Sequence, residues 1–538
     1  MFKSTSFPLF FLIFLTNQVS TQKTNVLINL NKTTSWGDKD LYTGFVNVTA
    51  NSTAQVDLLN VYPNVSFIIF QVHSHSYNVT LYNNTYVKGS YVTGTNVGMY
   101  SSVKPKIDTF FIINPNTIDI KVLVSIHGYT TADPIPGGCN MEFSLPISPF
   151  LLSSYNNDTI MVDAAAAKDP MDINCNSIDK SFVNFYKMYL PERDFDADTY
   201  YMGIINMLTF DKIQDNGEYI PYTGLRMRRM LSAYPGTGAI YVAVAFSSKN
   251  TSAYSVYVPT YSYACDPFIE GGCEIMDDFF SQMLCASLTF VGLFVCFFGH
   301  RFFKTEMFLV GFVTGVVITY ILISLMADLN RAALLGASVL SGVCFGSIWL
   351  LFWWFYGIPI FAVFLSTLNV GFLFAAIIYH GLPGGLTELE LDLNFWTLFI
   401  FIMLLTALLL LSMTFLSNIL CCAILGAYAT VFPMDYYIGS NLRFIIINTV
   451  RRAIVPHFNM AVLSPPFQWK DAVIAALWIG LALSGFLVQH YHNRARPPFP
   501  PPPRSVRPVY EPRRRYGQIS APMMPVFAAP SERTPLLA

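Results

Sequence analysis

Along the chain the rhythm of apolar and polar positions changes once, near residue 278. Before that point the apolar residues come in short runs. "TNVLINL", "AQVDLLNV", "VSFIIFQV", "YNVTLYN", "FFIINP", "KVLVSI", "AIYVAVAF" and "YSVYVPTYSY" are rich in β-branched and aromatic residues and are parted by Asn, Gly and Pro turns. Such strands must cover one another's apolar faces, so the pattern predicts β-sandwiches. After that point come runs near the length of about 20 residues that a helix needs to cross a bilayer. They fall near 279–298, 307–326, 332–355, 358–378, 395–411, 416–432 and 471–488, the sixth being the weakest. The expected fold is an all-β tandem-sandwich ectodomain followed by an α-helical seven-span membrane bundle.

A recurrence divides the β region. Asp133-Pro134 followed by Gly137-Gly138-Cys139 returns as Asp266-Pro267 followed by Gly271-Gly272-Cys273, each time after a tyrosine-bearing strand. Read as a duplication, each domain closes on this turn, giving sandwiches at 22–140 and 141–275; chance recurrence of common turn residues is the blander reading. Residues 276–490 then form the membrane domain and 491–538 a disordered Pro/Arg-rich tail. The opening "MFKSTSFPLFFLIFLTNQVS" has Lys3, an apolar core and small residues near Ser20, which is the pattern of a secretory signal peptide at 1–21 rather than a membrane span.

Composition adds a compartment. The 538 residues are 53% hydrophobic and 12% charged, and the net charge of −1 gives no basic excess for nucleic acid. Asn-x-Ser/Thr sites at Asn31, Asn47, Asn51, Asn64, Asn78, Asn83, Asn157 and Asn250 all precede residue 280, which places the β region in the secretory lumen or outside the cell. Cys139, Cys175, Cys265 and Cys273 share that oxidising side, whereas five further cysteines lie in apolar runs. Four cysteines allow three pairings; the short, turn-rich span from Cys265 to Cys273 favours that pair and leaves Cys139 for Cys175.

Charge then orients the spans. "GHRFFKTE" with Arg301 and Lys304 falls inside, "GGLTELELDLN" falls outside, and the tail beyond Gln489 carries eight arginines against Glu511 and Glu532, so it is expected in the cytosol. The discordant loop is 435–470, which falls outside yet holds Arg443, Arg451 and Arg452; its "LRFIIINTVRRAI" is expected to be an amphipathic or re-entrant helix at the membrane surface. Small-xxx-small spacing at Gly311/Gly315, Gly342/Gly346 and Gly480/Ser484 marks expected helix contacts.

Chemistry-bearing constellations are sparse. "HSH" at His73 and His75 lacks the further ligands of a metal site and reads as surface or satisfied histidines, while "DFDADT" at Asp194–Thr199 lacks the glycine and closing glutamate of a calcium loop and reads as a solvated turn. No metal, cofactor or catalytic residue is assigned. Inside the spans Asn369 and Asn418 are the polar residues a solute path would use, interhelical hydrogen bonding being the blander role. Seven spans bring a G-protein-coupled receptor to mind, but the third span ends in "WWFYG" without D-R-Y and the seventh lacks N-P-x-x-Y.

Five stretches in fixed order carry a different likeness: "DPIPGGCN", "YLPERDF", "TYSYACD", "FVCFFGHRFFKTEMFLVGF" and the terminal "ERTPLL". The chain resembles the transmembrane 7 superfamily member 3 family, and its helical part the wider domain family shared with transmembrane protein 198. The resemblance implies a multi-pass glycoprotein without recognised enzymatic activity, linked to cell survival and restraint of endoplasmic-reticulum stress, and it carries over no functional residues.

In the tail, "RARPPFPPPPR" predicts polyproline II, a ligand for SH3-type or WW-type grooves or a spacer beside anionic lipid. Glu532 with Leu536 and Leu537 forms an acidic dileucine pattern for clathrin adaptors, and Tyr516 with Ile519 a tyrosine-based one. The expected function is therefore a non-catalytic, receptor-like or homeostatic membrane glycoprotein of the secretory, endolysosomal and plasma membranes with an unidentified ectodomain partner. The alternative is a channel or transporter for a small solute.

Overall fold

The computed structural model describes residues 23–500 apart from 31–38, 105–107, 171–174, 176–180, 225, 249–251, 270–271, 274–278, 328, 383 and 495–496. The expected leader, Asn31, Asn250 and the tail signals at Tyr516, Ile519, Glu532, Leu536 and Leu537 lie outside the described residues.

Two sheets make the first sandwich. One has the order β1 (Lys23–Asn29), β3 (Ser52–Leu59), β8 (Phe110–Asn114), β5 (Val79–Asn83), β6 (Tyr91–Gly94); the other runs β2 (Asp40–Val48), β9 (Ile120–Tyr129), β4 (Phe67–Ser74), β7 (Asn96–Ser102). Alternation puts Val46 and Val48 of β2 and Ala54 and Val56 of β3 in the core, and Phe70 stacks on Phe110 across the two sheets at 4.2 Å. β4 is buried along both faces. Such a strand needs cover on its outer side, and the second domain supplies it: Tyr200 donates to Asn96 at 2.7 Å beside His73.

The second domain sets β11 (Leu151–Tyr155), β12 (Thr159–Ala164) and β16 (Arg228–Ser232) against β15 (Glu218–Ile220), β14 (Ser181–Glu192), β17 (Thr237–Ser247) and β18 (Tyr254–Val256), with β19 (Thr260–Ser262) also on β17. In β17 the period of two is plain. Ala239, Tyr241, Ala243 and Ala245 face the sandwich interior, while Ile240, Val242 and Val244 face two helices. Those helices are α1 (Ala197–Ile205) and α2 (Phe210–Asn216), two short additions to a domain that is otherwise the expected β-sandwich. "DFDADT" is the start of α1, where Asp196 accepts from the Asp198 amide as N-cap, and not a solvated turn. α1 is wedged between domains: Tyr201 bonds the Lys121 carbonyl and its ring meets Phe45 at 5.1 Å.

The turn motif also reads differently. β10 (Ile135–Cys139) pairs forward with β13 (Ala166–Lys168), so the first D-P…G-G-C opens the second domain instead of closing the first. The second copy follows β19. They are not equivalent closing turns, and the expected boundary at 140/141 moves ahead of β10. The disulfides are Cys139–Cys175 and Cys265–Cys273.

Six stretches of the described residues are long and apolar enough to cross a membrane, the first being the 45 residues Gln282–Met326. Two helices share it, α3 (Phe279–Phe298) and α4 (Phe303–Met326), joined by a 3-10 turn at Gly299–Phe302. Then come α5 (Arg331–Tyr356), α6 (Pro359–Gly381), α7 (Asp392–Leu411), α8 (Thr414–Ile438), the short α9 (Phe444–Ile454) and α10 (Trp469–Asn493). Packing shows that the chain turns back between α3 and α4. Gly292 lies against Thr430 and Gly299 against Cys422, so α3 runs antiparallel to α8, whereas Glu306 at the start of α4 meets Asn418 at the start of α8. Split at this turn, the six stretches hold seven long helices among the described residues.

Glycine decides where they touch. A Cβ on Gly346 would sit 2.7 Å from the Phe308 carbonyl oxygen and one on Gly315 would sit 3.0 Å from the Gly342 Cα, so α4 and α5 meet backbone to backbone as their spacing predicts. Gly480 breaks the rule, with nothing within 4 Å of a built Cβ; α10 instead approaches Cys296 through Gly485. Gly346→Leu is expected to lower unfolding stability in detergent by about 1–3 kcal/mol through overpacking, while Gly480→Leu changes it little. Equal effects of the two in a thermal unfolding assay would contradict this packing.

Candidate functional site

The densest polar constellation lies where the second domain meets the ectodomain side of the bundle. The connection from α8 to α10, spanning 439–468, folds over the open edge of β16. Val462 donates to the Met230 carbonyl at 2.8 Å and accepts from Ser232 at 3.2 Å, so a segment of the membrane domain extends an ectodomain sheet by main-chain pairing.

α9 anchors this connection. Its apolar side carries Phe444 and Ile445, and Phe444 packs edge-on against Tyr234 at 4.9 Å. Its two adjacent arginines are both buried and grip opposite partners. Arg451 donates to Asp158 at 2.9 Å, to the Ala233 carbonyl at 2.8 Å and to the Asn157 carbonyl at 2.8 Å, all in the ectodomain. Arg452 turns to the α6–α7 connection, meeting Asp392 at 2.9 Å and the Leu389 carbonyl at 2.9 Å. Asn448 completes the set by accepting from Ser232 at 2.8 Å. The helix is amphipathic as expected, but the arginines that broke the charge rule face protein. Their charge is met by carboxylates and carbonyls, so it carries no topological signal.

A second contact descends from β14. Arg193 donates to the Tyr436 carbonyl at 2.8 Å, one of the carbonyls that the end of α8 leaves without an intrahelical partner, and a cation suits that negative dipole end. Gly439 follows with φ +84, and a Cβ there would lie 2.7 Å from the Arg193 Nε. Only glycine both adopts that conformation and leaves room for the guanidinium. Gln468 caps α10 while its amide donates to the Leu190 carbonyl at 2.8 Å and its oxygen accepts from the Glu192 amide at 3.1 Å.

Glu192 is the strained member. It is 5% exposed, accepts from Asn441 through one oxygen, and its second oxygen has no partner among the described residues. Asp471, which accepts from the Asn441 amide, and Asp435, which accepts from the Arg443 amide, stand close by; Lys470 reaches the Glu192 carbonyl. Burial first, and Asp471 second, push the Glu192 carboxyl up from 4.5 to about 8. Nearby Lys187 donates to the Ser464 carbonyl at 2.8 Å, and burial draws it down to about 8.

At the far side of the bundle lies a smaller polar cluster. Asn418 donates to Glu306 at 2.8 Å and sits 3.0 Å from His300 Nδ1, while Gln489 accepts from the His300 amide at 3.0 Å. The first tail residues close over it: the Phe499 ring lies 5.8 Å from His300 and 5.3 Å from Phe303. Asn369 is not part of this cluster. It donates to Thr314 at 2.8 Å and to the Leu365 carbonyl at 2.9 Å. Both asparagines thus tie helices together, and His300 and Glu306 are buried.

Comparison with known proteins places this architecture. Residues 285–490 match the family model described as the TM7S3/TM198-like domain. Residues 39–129 and 134–268 match the TM7SF3-like N-terminal and second immunoglobulin-like domains. Transmembrane 7 superfamily member 3 of Rattus norvegicus is 31% identical over 464 residues, which is 83% of this chain and 82% of that relative. The chain belongs to the transmembrane 7 superfamily member 3 family. The protein of that name from Mus musculus is 30% identical over 480 residues, 86% of this chain and 84% of its own, and that of Homo sapiens 29% identical over 464 residues. The chain is accordingly a membrane protein with two N-terminal immunoglobulin-like domains.

The family-like stretches fall on the points that hold this membrane protein together. "YLPERDF" supplies Tyr189, Leu190, Glu192 and Arg193 to the junction, "DPIPGGCN" and "TYSYACD" each supply a disulfide cysteine, and "FVCFFGHRFFKTEMFLVGF" supplies His300, Glu306 and Gly311. Of the glycosylation candidates, Asn47, Asn51, Asn64, Asn78 and Asn157 are exposed, and Asn83 is half-buried with its amide on Asp108 at 3.0 Å. His73 is buried and bonded to Asn96 and Gln71, which fits its reading as a satisfied histidine, and the His75 ring lies tilted against Tyr200 at 5.1 Å. Sequence reasoning passed over Glu192, Arg193, Gly439, Asn441 and Gln468. The available signal was the unexplained excess of arginine in a loop expected outside.

Glu192 makes the junction pH-sensitive. Because its folded pKa is raised, its contribution is full below 4.5 and is lost as pH rises through about 8. Lys187 stays protonated in both states over most of that window. Stability of the full chain is expected to increase between about pH 7 and 5, and Glu192→Gln should flatten that slope. An unchanged slope in the variant, measured by denaturation midpoints across pH, counts against this assignment.

Proposed function

We propose that the chain is a non-catalytic, receptor-like membrane glycoprotein of the secretory and endosomal pathway, whose ectodomain and bundle act as one coupled body. The observation that carries this reading is the junction itself. A domain that merely needed tethering would hang from a linker, whereas here the bundle's α8–α10 connection pairs Val462 with β16 through two main-chain bonds and gives a buried arginine to Asp158. An event on the immunoglobulin-like domains thus has a continuous packed route through α9 and α8 to the far-side cluster. The exposed glycosylation candidates support a lumenal or extracellular ectodomain, and the arginine-rich tail supports a cytosolic terminus. A role in cell survival and in restraining endoplasmic-reticulum stress is part of the same proposal, motivated by family. The channel alternative is weaker because Asn369 and Asn418 are held by Thr314, Glu306 and His300.

Coupling can be read by hydrogen exchange on the full chain in nanodiscs, using a Fab against the first immunoglobulin-like domain as a surrogate ligand. Fab binding is expected to change exchange at Gly299–Phe302 in the wild type, and Arg451→Ala is expected to abolish that change. Identical far-side exchange with and without Fab in the wild type would sink the coupled reading.

For the tail we propose recognition by clathrin adaptors through Glu532, Leu536 and Leu537, with Tyr516 and Ile519 as a second signal, and by SH3-type or WW-type domains through the proline run. Leu536→Ala combined with Leu537→Ala is expected to raise the surface population severalfold at the expense of endosomes and lysosomes. A surface-biotinylation ratio equal to wild type refutes the adaptor reading.

A further inference from the structure

Between the second domain and the ectodomain side of α6, α7 and α9 lies a cavity of about 60 Å³ that the junction contacts above do not fill. Its wall includes Thr223 of the ectodomain, Glu390 of the α6–α7 connection, and Arg452 and Asn459 of the segment around α9. Three polar atoms here are buried without a hydrogen-bond partner among the described residues: Thr223 Oγ1, Glu390 Oε1 and Arg452 Nε. Arg452 is 7% exposed, and its Nη2 is already committed to Asp392 and the Leu389 carbonyl, so the Nε–H is held in place with no acceptor among the described residues. Buried polar groups are ordinarily satisfied, and three unsatisfied ones on a single cavity, from three separate parts of the chain, mark a place that expects an occupant.

Chemistry narrows the occupant. A simple anion would suit Arg452 but meet the Glu390 carboxylate, and a simple cation would have the reverse conflict. A molecule carrying both charges satisfies both walls. The volume corresponds to roughly four to six waters, or a ligand of about that many non-hydrogen atoms. We infer that the junction cavity binds a small zwitterionic amino acid of the size of glycine or alanine, its carboxylate on Arg452 Nε, its ammonium on Glu390 Oε1, and Thr223 bonding from the ectodomain side. The site goes beyond the receptor reading and does not require it, since it is defined by the cavity alone.

The test is equilibrium binding of tritiated glycine and tritiated alanine to the full chain in nanodiscs. Saturable binding at millimolar concentration or tighter is expected, displaced by unlabelled alanine and not by leucine, acetate or methylammonium. Glu390→Gln removes the charge of an oxygen that holds nothing else and is expected to weaken binding about tenfold or more, as is Arg452→Lys. Because Arg452 also braces the α6–α7 connection, Glu390→Gln, checked for an unchanged unfolding midpoint, is the deciding variant. Absence of saturable binding, which would leave water as the occupant, overturns the inference. So does binding that Glu390→Gln leaves intact, or that acetate or methylammonium displaces equally well.

Discussion

A guanidinium withdrawn from water must be met by acceptors, and the acceptors for Arg451 belong to a different domain. With Asp158, Ala233 and Asn157 on one side and α9 on the other, neither part can move off without stranding a buried charge, which costs several kcal/mol. Most other features of the junction follow from that constraint. α9 must lie where Arg451 can reach up and Arg452 can reach sideways, Val462 is then brought alongside β16, and the ends of α8 and α10 come under Glu192 and Arg193. The interaction is thus less a source of net stability than a device that fixes one arrangement of two domains.

The fold was legible in the sequence where a single periodicity ruled. Seven apolar runs became seven long helices because a bilayer-length helix satisfies its own backbone, and no other part of the chain needs to agree. β17 was legible as a strand from its β-branched and aromatic run "AIYVAVAF", but the cover that two helices give its outer face was not. The two short helices were not legible. α1 owes its place to Tyr200 and Tyr201, whose hydroxyls bond residues of the first domain, and nothing within the helix's own pattern reveals such distant partners. The paired D-P…G-G-C turns misled for the same reason, since strand pairing with β13 and not turn chemistry decides which domain the first one joins.

The candidate site shows the limit more sharply. Charge bias along a membrane chain is informative when loops face water on one side or the other, and the loop holding Arg443, Arg451 and Arg452 faces neither. It lies against the ectodomain, so Arg451 and Arg452 answer to carboxylates and carbonyls. A small residue likewise signals close helix contact only if another helix stands opposite; Gly346 has one and Gly480 does not. In each case the local rule was sound and its context, supplied by residues far along the chain, was not visible locally.

Main-chain pairing of Val462 with Met230 and Ser232 has a consequence for the order in which the molecule is made. The immunoglobulin-like domains leave the ribosome first, with their disulfide cysteines already present, but the segment around Val462 that pairs with β16 arrives only after α8 has been inserted in the membrane. Until then the ectodomain exposes an unpaired sheet edge, the kind of edge to which a foreign strand can add. Completion of the soluble part therefore waits on correct assembly of the helices, and a chain whose helices fail to insert would retain that open edge as a signature of its own incompleteness.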